Sequence, residues 1–348
     1  MLPSRLAVRL VWPGRPEPRT RPVGELLPRR GSDPRARLIH GDNVQALRTL
    51  AASGVKAALV YLDPPFFTGR EHTLVERKDG RTDERTRTAA FDDRWESLEA
   101  YLESLVERVT LARELLLPEG CLVLHVDPRT SHYLKVLCDE VFGADCFASE
   151  IVWRYRRWPS KTRNFQRVHD VLLRYVRDPK AEPRFRQLYE PLAASTRATW
   201  GDKRQRAVVD PSGRRVRSST TEDASPGTPL GDVWEIGIVA PVAKERTGYP
   251  TQKPLALLER LLESCTEPGD LVVDPYLGSG TTAVAALRLG RTAIGIDVNR
   301  RAVTIARKRL DELGIDAVEE RLIEPEESES APSHATAIRQ PRGFSEVG

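Results

Sequence analysis

Two rhythms of apolar residues organise this chain. Short, largely apolar runs occupy Ala57–Leu62, residues 121–126, Leu271–Asp274 and Thr292–Asp297. Such runs, too short for helices and lacking alternation, read as strands buried on both faces of a parallel sheet. Between them the spacing changes. Leu98, Tyr101, Leu102, Leu105, Val109, Ala112 and Leu116 form a helical stripe. Helices are also predicted over Asn43–Ala52, residues 133–142 closing at Gly143, residues 254–265, from the glycine-rich turn after Asp274 to Leu289, and over residues 299–313. A short strand is predicted at residues 37–40. This alternation at both ends of the chain predicts an α/β fold: a doubly wound, mostly parallel sheet.

The rhythm fails in three places. Residues 70–90 are polar and charged without periodicity and read as a mobile loop. Residues 151–247 hold short strands (151–155 and 171–176) among Arg-, Pro- and Ser/Thr-rich loops, and read as an insertion. Residues 323–348 are rich in Glu, Ser and Pro and read as a disordered tail. The expected division is therefore an N-terminal extension (1–36), one half of an α/β domain (37–150), the insertion (151–247), the second half (248–322) and the tail.

Composition adds limits. A chain of 348 residues can bury one large core or two modest ones. It has no apolar run long enough for a membrane span and no signal-peptide pattern near its start. Cys121, Cys138, Cys146 and Cys265 lack paired spacing, so neither a zinc site nor a disulfide framework is expected, and a cytoplasmic location is the simplest reading. The net charge of +4 is unevenly spread. Residues 151–247 carry 20 Lys and Arg against 11 Asp and Glu, or +9, which leaves −5 for the rest. A basic middle suits a polyanion surface, although solvated arginines would look the same.

Candidate chemistry sits where the strands stop. Gly278, Gly280 and Ala283 fit the G-x-G-x-x-G/A pattern between strand and helix, and Asp297 closes the next strand, where a carboxylate can grip ribose hydroxyls. A dinucleotide or S-adenosylmethionine would satisfy that pattern, as would a plain structural turn. Asp274, just before the glycines, disfavours a pyrophosphate and suits an ammonium group, which points to S-adenosylmethionine. Asp63-Pro64-Pro65-Phe66 follows a buried strand and so belongs at the ligand-binding edge of the sheet. Alone it could be a strand terminator. As a catalytic loop, its Asp63 carboxylate and Pro64 carbonyl could accept the protons of an exocyclic amine, Pro64 and Pro65 would stiffen the loop, and Phe66 could stack on a flipped base.

Taken in order, these segments resemble the permuted (beta-class) S-adenosylmethionine-dependent DNA adenine-N6 and cytosine-N4 methyltransferases. The residues carrying the resemblance are His40-Gly41-Asp42-Asn43, Leu62 to Phe66, His125-Val126-Asp127, Gly248 to Pro254, Asp274 to Thr282, and Gly295-Ile296-Asp297. It implies a seven-stranded Rossmann-like sheet and a target-recognition region in the basic middle. It also implies cofactor contacts at Asp42, Asp63, Thr251, Lys253, Asp274, Pro275, Tyr276, Gly278, Gly280, Thr281 and Asp297. Asp42 could instead merely cap its helix. Phe66 stands where Tyr is commoner, Phe67 where many relatives have Asn, and Tyr276 where Phe is usual. Asp63 favours adenine-N6 over cytosine-N4 chemistry. The implied partners are double-stranded DNA, a second copy in a homodimer and a restriction endonuclease; the modest insertion favours a stand-alone enzyme. Against this stand an RNA or protein-amide methyltransferase, disfavoured by the order of the two loops, and a non-catalytic DNA-binding module. His125, His169 and Asp170 read as structural. Trp153, Arg154, Tyr155, Arg156, Arg157, Trp158, Lys161 and Arg163 read as a DNA-facing mix of cations and aromatics, with a packed aromatic edge among solvated arginines as the alternative.

Overall fold

The computed structural model describes residues 10–12, 15, 23–77, 85–159, 161, 163–205, 208–216 and 220–323. In chain order the strands of its central sheet are β1 (Glu25–Arg30), β2 (Asp33–His40), β3 (Ala57–Leu62), and, after the hairpin β4 (Glu71–Arg77) and β5 (Arg85–Asp92), β6 (Leu116–Val126), β7 (Phe147–Arg154) and β8 (His169–Val176). Short pieces follow: β9 (Tyr189–Glu190), β10 (Lys203–Gln205), β11 (Val208–Val209), β12 (Arg215–Val216), β13 (Thr220–Ala224) and β14 (Thr228–Pro229). The sheet resumes with β15 (Val233–Glu235), β16 (Leu271–Asp274), β17 (Thr292–Asp297) and β18 (Ala317–Ile323). Helices are α1 (Asn43–Ala52), α2 (Leu98–Leu115), α3 (Ser131–Phe142), α4 (Ala194–Trp200), α5 (Leu255–Cys265), α6 (Thr281–Arg288) and α7 (Arg300–Asp311).

The sheet has ten strands in the order β1-β18-β2-β17-β16-β3-β6-β8-β7-β15, rather than the expected seven. The contiguous run from β2 to β7 accounts for seven; β1, β18 and β15 extend its edges. Only β1 and β8 of this sheet run against the others. The end of β7, all of β8 and β15 lie in the basic middle yet pair within this sheet, as does β1 from the expected extension. The sheet therefore takes in more of the chain than apolar rhythm suggested. Edge strands such as β1 carry little apolar signal because most of their side chains face water.

Side-chain alternation splits the core between the two faces of the sheet. Ile39, Val60, Leu62, Leu122 and Val273 join α1, α2 and α3 on one face. Leu38, Leu59, Tyr61, Cys121 and Val272 join α5, α6 and α7 on the other. Helix starts are set by side chains: Asp42 accepts from the Gln45 N–H at 3.0 Å and Ser97 from the Ala100 N–H at 3.2 Å. The strand expected from residue 121 begins earlier, at Leu116, and a register irregularity absorbs Pro118 within β6.

Residues 70–90 are not simply a loop. β4 and β5 pair as an antiparallel hairpin, in which the His72 and Phe91 rings stack at 4.5 Å. Ala90 and Phe91 pack with Tyr249 and with Ala302 of α7. The hairpin pairs as a two-stranded sheet of its own, apart from the central one. Apart from Ile323, which ends β18, the expected disordered tail lies outside the described residues.

Connectivity positions the site. The chain leaves β3 through α2 to reach β6 on one side, and leaves β16 through α6 to reach β17 on the other. β3 and β16 are parallel neighbours, with Leu59 opposite Val272 and Val60 opposite Val273. Their carboxyl ends thus flank the crevice where the strand order reverses, the usual place for a ligand in an open α/β sheet.

Candidate active site

Asp63 leaves β3 and Asp274 ends β16, so both carboxylates arrive at that crevice. A cavity of about 860 Å³ opens there, lined by the Asp63–Phe66 loop, the glycine loop and the Tyr249–Lys253 segment. Two regions nearly 200 positions apart are joined by one ion pair: the Lys253 Nζ donates to Asp63 Oδ1 at 2.7 Å and to Oδ2 at 2.6 Å. The same ammonium lies 4.8 Å from the Phe66 ring centroid. Lys253, expected as a contact for a cofactor, is a direct partner of Asp63.

The glycine loop is held by Asp297, whose Oδ2 accepts from the Gly278 N–H at 2.9 Å. Gly278 and Gly280 both adopt positive φ, 50° and 77°. Their roles differ. Gly278 lines the cavity. Gly280 does not; a Cβ there would stand 2.6 Å from the Ala306 Cβ, so this glycine serves the close approach of α7. Thr281 is buried and donates from its hydroxyl to the Lys253 carbonyl at 3.2 Å, tying α6 to the lysine segment. Pro275 accepts from the Asn43 side-chain amide at 3.0 Å, and Tyr276 lines the cavity beside it.

Burial pushes the Asp274 carboxyl up to about 7, against hydrogen bonds from Thr282 and the Tyr276 N–H. Burial likewise raises Asp297 to about 6, opposed by the Asn299 and Gly278 N–H groups. The charge attributed to Asp274 on sequence alone is therefore only partly present near neutrality. A cationic or hydroxyl-rich ligand would favour its ionised form. Asp42 caps α1 and also lines the cavity. Thr251 is exposed on the lining with φ 59°, its hydroxyl turned to the Pro250 carbonyl at 2.7 Å.

Behind Phe66 lies a buried polar chain. His125 is fully buried, with Nδ1 2.7 Å from the Tyr61 hydroxyl and Nε2 3.2 Å from Asp170 Oδ2. Burial works against the Asp170 charge, but hydrogen bonding from His125 and Tyr155 and the charge of Lys253 outweigh it and hold the carboxyl below its ordinary value. An ionised Asp170 only accepts, so the His125 Nε2 carries a proton toward it. Phe66 packs on the His125 ring at 5.4 Å and Trp153 meets it edge-on at 5.6 Å. Trp153 and Tyr155, expected to face DNA, are buried and brace this chain; Tyr155 donates to Asp170 Oδ1 at 2.9 Å.

Asp93 gave no sequence signal, standing second of two acidic residues at the end of a polar stretch. It is 1% exposed. Its carboxylate accepts from the Phe67 N–H at 2.7 Å, the Thr68 N–H at 2.9 Å and the Thr68 hydroxyl. Phe67 is held at φ 57°, an uncommon conformation for a bulky residue. The exit of the Asp63–Phe66 loop is thus clamped by the residue following β5.

A catalytic-type loop and a glycine loop at one switch point have counterparts in known proteins. A family model described as DNA methylase (N6_N4_Mtase) matches residues 57–308. The type II methyltransferase M.EcaI of Enterobacter cloacae is 30% identical over 319 residues, covering 78% of this chain and 68% of its own. The DNA adenine methyltransferase YhdJ of Escherichia coli (strain K12) is 26% identical over 282 residues, covering 79% of this chain and 82% of its own. The crystal structure of the M1.HpyAVI–SAM complex shares the fold at a TM-score of 0.50 and 21% identity, covering 79% of this chain and 98% of that one. With a family match that spans both loops and the strands that carry them, the chain belongs to the DNA N6-adenine/N4-cytosine methyltransferase family.

Proposed function

We propose that this chain transfers a methyl group from S-adenosylmethionine to the N6 amine of adenine in duplex DNA, acting on a base flipped out of the helix. The observation that carries the reading is the meeting of the Asp63–Phe66 loop and the Gly278 loop in one cavity, at the carboxyl ends of adjacent strands. Family membership and the M1.HpyAVI–SAM complex of the same fold support the choice of cofactor. The donor set suits it: Asp297 for ribose hydroxyls, and Asp274 or Asp63 for an ammonium group. When bound, the cofactor supplies an electrophilic methyl on a sulfonium.

The chain's own work is positioning. The Asp63 carboxylate and the Pro64 carbonyl accept the two hydrogens of the amine. That draws the nitrogen lone pair out of the ring's conjugation and turns it toward the methyl. Lys253 keeps the carboxylate oriented through two contacts while leaving lone pairs on both oxygens for the amine. Phe66, backed by His125, offers the stacking face. Holding the reactants in line supplies up to about 7–11 kcal/mol of the barrier reduction. The proton released after transfer leaves through Asp63 or to water. Asp63, rather than Ser, at the first loop position favours adenine, as does the name of the E. coli relative.

Purified protein should transfer labelled methyl groups to duplex DNA, and Asp63→Ala should lose at least about a hundredfold in turnover, the lower bound expected for a principal amine-positioning group. Near-wild-type turnover by that variant would overturn the mechanism. Nucleoside mass spectrometry of the product should give N6-methyladenine; N4-methylcytosine would reassign the target base.

A further inference from the structure

The segment from Tyr155 to Val168, joining β7 to β8, contains five Lys or Arg and no Asp or Glu. Its base is rigid. The Tyr155 N–H donates to the Val168 carbonyl at 2.8 Å, Trp153 donates its indole N–H to the Ile236 carbonyl at 2.8 Å, and Arg157 lies over the Tyr155 ring at 5.3 Å. Its outer part carries the two most exposed aromatic side chains among the described residues, Trp158 at 90% and Phe165 at 97%. The two limbs are tied across by the Gln166 side-chain amide, which donates to the Trp158 carbonyl at 2.9 Å. From the same segment, Arg157 and Arg167 line the cavity. Trp158 directly follows one of these lining arginines and Phe165 lies two positions before the other, so the projecting aromatics adjoin the cavity.

Arginines alone would suffice to hold phosphates. Large flat apolar side chains add nothing to that contact and lose by facing water. The apolar partner that duplex DNA offers is its base stack, reached by inserting a side chain between base steps. We infer that Trp158, with Phe165 beside it, is a wedge that enters the duplex at the target step and occupies the space left by the flipped base, while the flanking cations hold the two backbones. This rests on the reading of the cavity as a receiver for a flipped base. The wedge lowers the cost of the flipped state, so it matters most when the target is paired and least when extrusion is already easy.

The test uses the full chain and two oligonucleotide duplexes containing the motif read from DNA methylated by the wild type. One is fully paired; the other has an abasic site opposite the target. Trp158→Ala and the double variant with Phe165→Ala should lose on the order of tenfold or more in kcat/KM on the paired duplex, and the abasic site should restore most of the loss. Fluorescence of 2-aminopurine at the target should rise less in the variants than in the wild type on the paired duplex. Calorimetric affinity for S-adenosylmethionine reports that the exposed substitutions left the fold intact. Equal losses on both duplexes would make the segment a docking surface and overturn the wedge, as would no loss on either. Absence of any methylated motif in DNA from a methylation-free host expressing the wild type would instead overturn the methyltransferase reading, and the wedge with it.

Discussion

At the scale of single residues, the raised carboxyls of Asp274 and Asp297 make cofactor binding depend on pH. A positively charged ligand interacts best with the ionised form, so below about 7 its binding must first displace a proton from Asp274. Affinity for S-adenosylmethionine, measured by calorimetry, should therefore rise between pH 5.5 and 7.5 and level off above. Heats measured in buffers of different ionisation enthalpy should reveal proton release near neutrality. Asp274→Asn should bind more weakly at pH 8 and show a flatter profile. A flat wild-type profile would contradict this assignment. Stability has the opposite sign. The folded carboxyl near 7 stands above its ordinary 3.8, so the folded chain holds more protons than the unfolded one between those values. That contribution is complete below about 4 and disappears as pH rises through about 7.

At the scale of elements, the hairpin and the loop it clamps act together. Asp93 leaves β5 and satisfies two backbone N–H groups and one hydroxyl at the exit of the Asp63–Phe66 loop. The hairpin is in turn anchored where the Asn299 side chain donates to the Ala90 carbonyl at 2.7 Å, at the start of α7. Asp93→Asn leaves one acceptor oxygen for three donors and sets an amide N–H against a backbone N–H. Leaving a buried donor unpaired costs roughly 1–3 kcal/mol. The expected outcome is a lower melting temperature and a loss of about tenfold in turnover, a fraction of the positioning contribution, with affinity for S-adenosylmethionine little changed. A loss of cofactor affinity at unchanged turnover would show that the clamp serves the other half of the cavity.

At the scale of the whole molecule, the cavity lining mixes cations with the carboxylates of the site. The +9 segment supplies Arg157, Arg167 and Arg246 to the cavity lining, and the hairpin side adds Arg70. If four or five phosphates are neutralised, DNA affinity should fall by about a hundredfold or more between roughly 50 and 200 mM salt. Titration by fluorescence anisotropy gives this slope directly. A salt-insensitive complex would remove the basic face as the DNA surface. Among the described residues no helix is long and apolar enough to cross a membrane.

The sequence by itself determined the elements whose signal is local. β3, β16, β17 and α1 fall within their expected bounds because a strand buried on both faces, or a helix buried on one, prints its environment onto consecutive residues. It also supplied the two loops that stop those strands, because an acidic residue, a proline or a glycine at a strand end is visible without knowing the neighbours. Tertiary structure decided what depends on distant partners. The pairing of Lys253 with Asp63, the burial that lifts Asp274, the clamp by Asp93 and the turning of Gly280 toward Ala306 each join residues far apart in the chain. β1 escaped notice because side chains facing water carry no apolar period. The basic middle was legible as charge, yet only the sheet pairing separated buried Trp153 from exposed Trp158. Composition records how many aromatics a segment has; which of them meet the core is settled by the strands that pair beneath them.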